Sequence, residues 1–155
     1  MFLIYKNTYI QKKILSLKIE CDYNKCKGAC CKGEGLGTPL NLKDIERISE
    51  ATSKDSFYHY FRGPRLVCEK NGDCSFLNGD LCSINDIKPD FCILFPLQIE
   101  RKNGLEYILF NPYEKCKFKD SDKFLIEHVS KALNRLYGND FVPGLIKLAG
   151  SLENV

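Results

Sequence analysis

The fold turns on residues 21–37, "CDYNKCKGACCKGEGLG", where four cysteines precede a glycine-rich tail. Cysteines that only fill a core lie on the apolar stripes of helices and strands. These lie instead in a loop of Gly, Asn, Asp and Lys. Further out, Cys74, Cys82, Cys92 and Cys116 repeat that placement beside turns and element ends. Cys68, in "RLVCEK" at residues 65–70, reads as a strand residue and is set apart as a bystander.

Eight thiols remain as candidate metal ligands: Cys21, Cys26, Cys30, Cys31, Cys74, Cys82, Cys92 and Cys116. Zinc and iron–sulfur centres both take thiolates in fours, so eight suffice for two centres. The adjacent pair Cys30 and Cys31 bears on this, because neighbouring side chains diverge. Two centres sharing the loop, or one polynuclear cluster, would use both. A single centre would leave one thiol for redox or nucleophilic work. The spacings Cys21-x₄-Cys26 and Cys26-x₃-Cys30 fall in the loose range of zinc knuckles. The chain has no Cys-x-x-Cys redox motif and no ferredoxin run. Spacing leaves the metal open.

The tail Gly33-Glu34-Gly35-Leu36-Gly37 matches a nucleotide or methyl-donor loop in letters. Such loops follow a buried strand and open a helix. Ala29-Cys30-Cys31-Lys32 is no apolar strand, so the tail reads as a turn that lets backbone amides approach the metal site.

A chain of 155 residues suits one domain, residues 1–155, with a core of its own. The formal charge of +3 comes from 23 Lys and Arg against 20 Asp and Glu, too small a balance to mark a nucleic-acid or membrane binder. Eight thiolates on two divalent ions would bring it to roughly −1. Lys25, Lys27, Lys32, Lys115 and Lys117 could then offset an anionic site, or simply be solvated loop lysines. No run approaches the roughly 18 apolar residues of a membrane span. "MFLIYKNTYIQKK" lacks a signal peptide's apolar run and cleavage site. A cytoplasmic protein is expected, where thiols stay reduced. There, nine cysteines favour metal over a disulfide framework, which would leave one thiol over.

The expected class is α+β: small β-hairpins and cysteine-rich loops with surrounding helices, and a C-terminal helical segment. "YIQKKILSLKIEC" reads as one or two strands. Asn41 caps a helix through Leu42, Ile45 and Ile48, and "KDSFYHYF" reads as a second short helix. Asn71-Gly72 and Asn103-Gly104 mark hairpins, and Asn78-Gly79-Asp80 a third turn. Ser121 is a candidate cap for a helix carrying Leu125, Val129, Ala132 and Leu136 and ending at Gly138. Pro143 starts a last helix. His59 and His128 have no cysteine nearby in sequence. Asp73, Asp80 and Asp90 adjoin cysteines but suit turns for backbone reasons.

"KCKGACC" (25–31), "CSFLNGDLCSI" (74–84) and "KPDFCILFPL" (88–97) together resemble the CxxCxxCC family of zinc- or iron-chelating domains. The likeness runs over roughly residues 21–118. The first cluster reads Cys-x₄-Cys-x₃-Cys-Cys instead of Cys-x₂-Cys-x₂-Cys-Cys, and Lys88 stands where the family commonly has arginine. Some relatives are iron–sulfur proteins, and flagellin lysine methylases contain a similar domain. With eight turn-placed thiols, the resemblance implies an iron–sulfur protein with a [4Fe–4S] cluster. Cys26, Cys30, Cys31, Cys74, Cys82 and Cys92 are then the first candidates, followed by Cys21 and Cys116. One alternative is a structural zinc module with one or two Cys₄ sites that meets a partner. Another is a cluster-dependent modifying enzyme of methyltransferase type. The sequence identifies no catalytic acid or base, so enzymatic activity stays undecided. The expected partner is a protein or redox partner, not a membrane or nucleic acid.

Overall fold

The computed structural model describes residues 1–33 and 35–153 and is α+β. The first strands are β1 (Phe2–Tyr5), β2 (Thr8–Gln11) and β3 (Ile19–Cys21), followed by helices α1 (Tyr23–Cys26) and α2 (Leu42–Thr52). Next come β4 (Tyr58–Tyr60), β5 (Pro64–Leu66), β6 (Leu77–Asn78), β7 (Leu81–Cys82) and helix α3 (Asp90–Leu94). The chain ends with β8 (Leu97–Lys102), β9 (Leu105–Phe110), β10 (Phe118–Asp120), α4 (Leu125–His128), α5 (Ser130–Tyr137) and α6 (Phe141–Glu153). They divide into two compact units. One comprises Met1–Cys21, Leu94–Glu114 and Phe118–Val155; the other comprises Asp22–Ile93 and Lys115–Lys117.

The first unit is built on a sheet of order β1-β2-β9-β8. Two tight turns close its hairpins. Asn103 and Gly104 (φ 54° and 77°) join β8 to β9, and Lys6 and Asn7 (φ 49° and 64°) join β1 to β2. Positive φ at both central residues matches the right-handed twist of paired strands, which is why Asn-Gly forecasts the first turn. Strands β2 and β9 run parallel, with Tyr9 opposite Tyr107 and their rings stacked at 5.0 Å. Ile10, Leu97 and Ile108 are buried on this sheet, and Leu125, Ile126, Val129, Ala132, Leu133, Phe141, Val142 and Leu145 are buried along the C-terminal helices.

Those helices depart from the sequence reading in four ways. The apolar stripe is broken at Val129, which leaves helical geometry (φ −104°, ψ 12°) between α4 and α5. Leu133, not Leu136, is the buried leucine of α5. The Ser121 hydroxyl does not cap α4; it accepts from the Lys123 N–H at 3.1 Å and lies 2.8 Å from His128 Nε2. The last helix starts at Phe141, so Pro143 falls within its first turn, where a missing N–H costs no helical bond.

The second unit packs Leu40, Ile48, Phe57, Leu66, Phe76 and Ile84 together, with Cys74, Cys82 and Cys92 against them. Helix α2 begins where expected. The Asn41 side chain accepts from the Asp44 N–H, and the Asp44 carboxylate accepts from the Asn41 N–H. "FYHYF" is not a helix. Tyr58–Tyr60 pairs antiparallel with Pro64–Leu66 across a turn holding Arg62 and Gly63 at positive φ. Aromatic residues favour such pleated, half-buried surface, and the arriving partner strand decides the outcome. Among the described residues no helix is long and apolar enough to cross a membrane.

Candidate metal centre

Three segments of the second unit converge on the thiols. The first is the cysteine loop. After α1, Lys27 and Gly28 both take left-handed backbone (φ 51° and 75°), and Ala29–Cys31 forms a 3₁₀ turn. The turn separates the adjacent pair: Cys30 is exposed, while Cys31 is half-buried and its carbonyl accepts from the Cys74 N–H at 2.8 Å. The second is the hairpin segment. Cys82 lies opposite Leu77 in β6–β7, a ladder held also by the Ser83 N–H and hydroxyl, both donating to Phe76 O. The third is α3, which carries Cys92 with its Sγ 3.2 Å from Thr38 Oγ1.

The glycine tail forms the wall beside Thr38. A Cβ on Gly37, whose φ is 75°, would lie 1.9 Å from Leu66 O. Only glycine allows that approach, and it lets the Leu66 N–H bond Thr38 O at 3.0 Å. Upstream, the Gly33 N–H donates to Asp73 Oδ1 and the Gly35 N–H to Gly72 O. The tail thus follows a 3₁₀ turn, not a strand, and its amides serve the neighbouring hairpin. Glu34, part of the "GEGLG" reading, lies outside the described residues.

A buried polar network fixes the start of α3. Asp44 is fully buried and accepts from the Asp90 N–H at 3.1 Å and from Arg47 Nη2 at 2.6 Å. Arg47 also donates to Ile87 O and Lys88 O, and Asn41 Nδ2 donates to Asp90 Oδ2. Helix α2 is thereby tied to the "KPDFC" segment two residues before Cys92.

The electrostatics show which thiols share an environment. Burial pushes the Cys92 thiol up to about 12, with the charges of Cys31, Cys74 and Cys82 adding to it and the Thr38 hydroxyl opposing. Cys74 is pushed up to about 11, again by burial first, with Cys31, Cys82 and Cys68 adding. Cys82 is raised by burial and by Cys31. Cys31, Cys74, Cys82 and Cys92 are therefore one electrostatic group. Burial favours the neutral thiols of Cys74, Cys82 and Cys92 until a cation supplies the opposing charge. Among the described residues, no three His, Cys, Asp or Glu side chains converge closely enough to hold a single ion as they stand.

The other candidates fall elsewhere. Cys116 is raised by burial and then by Cys26, which pairs those two within the same unit. Cys21 is an exposed residue of β3 in the first unit. Cys68 stands across an antiparallel bridge from Cys74. All nine cysteines are among the described residues, and no disulfide joins any of them. His59 is exposed on β4, and His128 belongs to the first unit. The sequence reading missed Thr38, Asp44 and Arg47. Only Asp44 left a local signal there, three residues after the capping Asn41.

A protein-family model described as "Putative zinc- or iron-chelating domain" matches residues 20–123. No curated protein and no solved structure matches the chain.

Proposed function

Because the chain belongs to the CxxCxxCC family of zinc- or iron-chelating domains, we propose that Cys31, Cys74, Cys82 and Cys92 hold a [4Fe–4S] cluster. The observation that carries this is that Cys74, Cys82 and Cys92 pack on one apolar cluster, while Cys31 is bonded to Cys74 through its backbone and raises all three thiols. A [4Fe–4S] cluster takes four cysteine thiolates, each on a different iron, which matches a set of four. One tetrahedral zinc would need all four sulfurs about 2.3 Å from a common centre. Cys26, Cys30 and Cys116, with Cys21 opposite Phe118, remain as candidate donors beside that set. When bound, the cluster supplies one-electron transfer to a protein redox partner. The chain's own part is to keep water from Cys74 and Cys92 and to aim the Thr38 hydroxyl at the Cys92 sulfur.

Purification without oxygen, followed by iron, sulfide and zinc quantitation and a visible spectrum, tests this. Four irons and four sulfides per chain are expected, lost when Cys92 is replaced by serine. A colourless protein carrying zinc would replace the reading with a structural module. A protein that takes up neither metal when reduced would overturn both.

Thr38 gives a finer check. Thr38→Val keeps the shape and removes the hydroxyl that faces Cys92. Loss of such an outer contact costs about 10–100-fold in metal affinity, and Thr38→Ser should restore most of it. A chelator-competition titration reads this directly.

A further inference from the structure

Cys68 reads as a bystander in the sequence, but the backbone gives it a specific neighbour. Cys68 and Cys74 are partners across an isolated antiparallel bridge. The flanking bonds run from the Ser75 N–H to Val67 O (3.1 Å) and from the Glu69 N–H to Asp73 O (2.7 Å). The two cysteines therefore form a non-hydrogen-bonded pair, the kind whose Cα atoms lie about 4.5 Å apart with both side chains on one face. Disulfides span Cα separations of about 4.4–6.8 Å, so this backbone accepts an S–S bond without rearrangement.

The register is firmly held. Gly72 N–H bonds Glu69 O at 2.9 Å, and Asp73 N–H bonds the Asn71 side chain at 3.0 Å, closing the five-residue loop between the cysteines. The glycine tail pins the loop from outside through Gly33 and Gly35.

We propose that Cys68 and Cys74 are a dithiol–disulfide couple driven by peroxide, and that its oxidation withdraws Cys74 from the metal centre. Peroxide transfers one oxygen to one thiol, giving a sulfenic acid and one water. The second sulfur attacks the first, the S–S bond forms, the S–O bond breaks, and a second water leaves. Two electrons pass from the sulfurs to the peroxide, and a thiol reductant reverses the change. The couple stands on the backbone geometry alone. The withdrawal of Cys74 rests on the cluster reading above.

The test treats the full chain, as purified and after chelation, with hydrogen peroxide, then alkylates the remaining thiols. Trypsin cuts after Lys70, between the two cysteines, so a bond from Cys68 to Cys74 joins two peptides. Fragmentation separates Cys74 from Cys82 and Cys92. The expected result is that linked pair, formed with loss of about 2 Da and reversed by reductant. Cys68→Ser should abolish the link, keep the metal content, and slow peroxide-driven metal release several-fold. Cys74→Ser should abolish both link and metal. Cys68 and Cys74 still alkylatable while other cysteines cross-link would overturn the couple. A full link with the metal retained would overturn the withdrawal of Cys74. If the chain holds no metal at all, the cluster reading fails, yet the link in the chelated protein still decides the couple.

Discussion

Zinc added as a probe to the reduced, metal-free protein at pH 7 should displace about three protons per ion, and its affinity should rise on the order of 10³-fold per pH unit. The thiols of Cys74 and Cys92, pushed up to about 11 and about 12, are neutral at that pH, and Cys82 is raised in the same direction. Only thiolates bind metal, so each must lose its proton as the ion enters. Any proton on Cys31 adds to the number. Calorimetry in buffers of different ionisation enthalpy counts the protons. Release of one or none would mean the thiols are already ionised, and the burial that groups them would be wrong. Without metal, pH acts in the opposite direction on stability. The fold keeps the Cys92 proton above the ordinary thiol value of 9.0, where the unfolded chain loses it. Stability is unaffected by this group below pH 9, then falls toward pH 12 by about 1.4 kcal/mol per unit. Cys74 adds a smaller amount because its thiol is pushed up less far. Metal-loaded protein, already deprotonated at these sulfurs, should not show that decline.

The sequence carried the parts of this centre that are written locally. Thiols set among Gly, Asn and Asp conflict with simple packing, so the residues alone mark eight candidate ligands, with Cys31, Cys74, Cys82 and Cys92 among them. Asn103-Gly104 and the Asn41 cap are equally readable, since a turn or cap needs only its own few residues. Long-range pairing decides the rest. Tyr58–Tyr60 is a strand because Pro64–Leu66 lies beside it, and an aromatic run alone does not say which partner will arrive. Which four thiols form a group depends on the bond from the Cys74 N–H to Cys31 O, 43 positions apart in the chain. The flanks of Cys68 suggest extended backbone, and it does pair across a bridge, but its neighbour Cys74 follows from the Asn71-Gly72 turn register. Thr38 left no signal, because its role is fixed by a helix that starts 52 positions later.

Replacing Asp44 by alanine should destabilise the protein by about 3–5 kcal/mol, the range for breaking a buried ion pair from one side. The Asp44 carboxylate is fully buried and accepts from Arg47, from the Asn41 N–H and from the Asp90 N–H. Alanine leaves all three donors without that acceptor. The guanidinium keeps only its bonds to Ile87 O and Lys88 O, with the Asp90 carboxylate 4.0 Å away. A change at Asp44 alone removes the nearer of the two carboxylates facing Arg47, whereas changing both partners also takes the guanidinium away from the buried Asp90 carboxylate. The double variant Asp44→Ala with Arg47→Met should recover part of the loss, because Arg47 no longer lacks its nearer carboxylate, while the buried Asp90 loses its Arg47 contact. Denaturant titration of the two single variants and the double variant gives the coupling energy. Because the same network anchors the start of α3, the single variant should also bind metal more weakly at Cys92, in proportion to how far α3 loosens. Purely additive losses would show that Asp44 and Arg47 act separately, and that α3 is held in place by apolar packing instead.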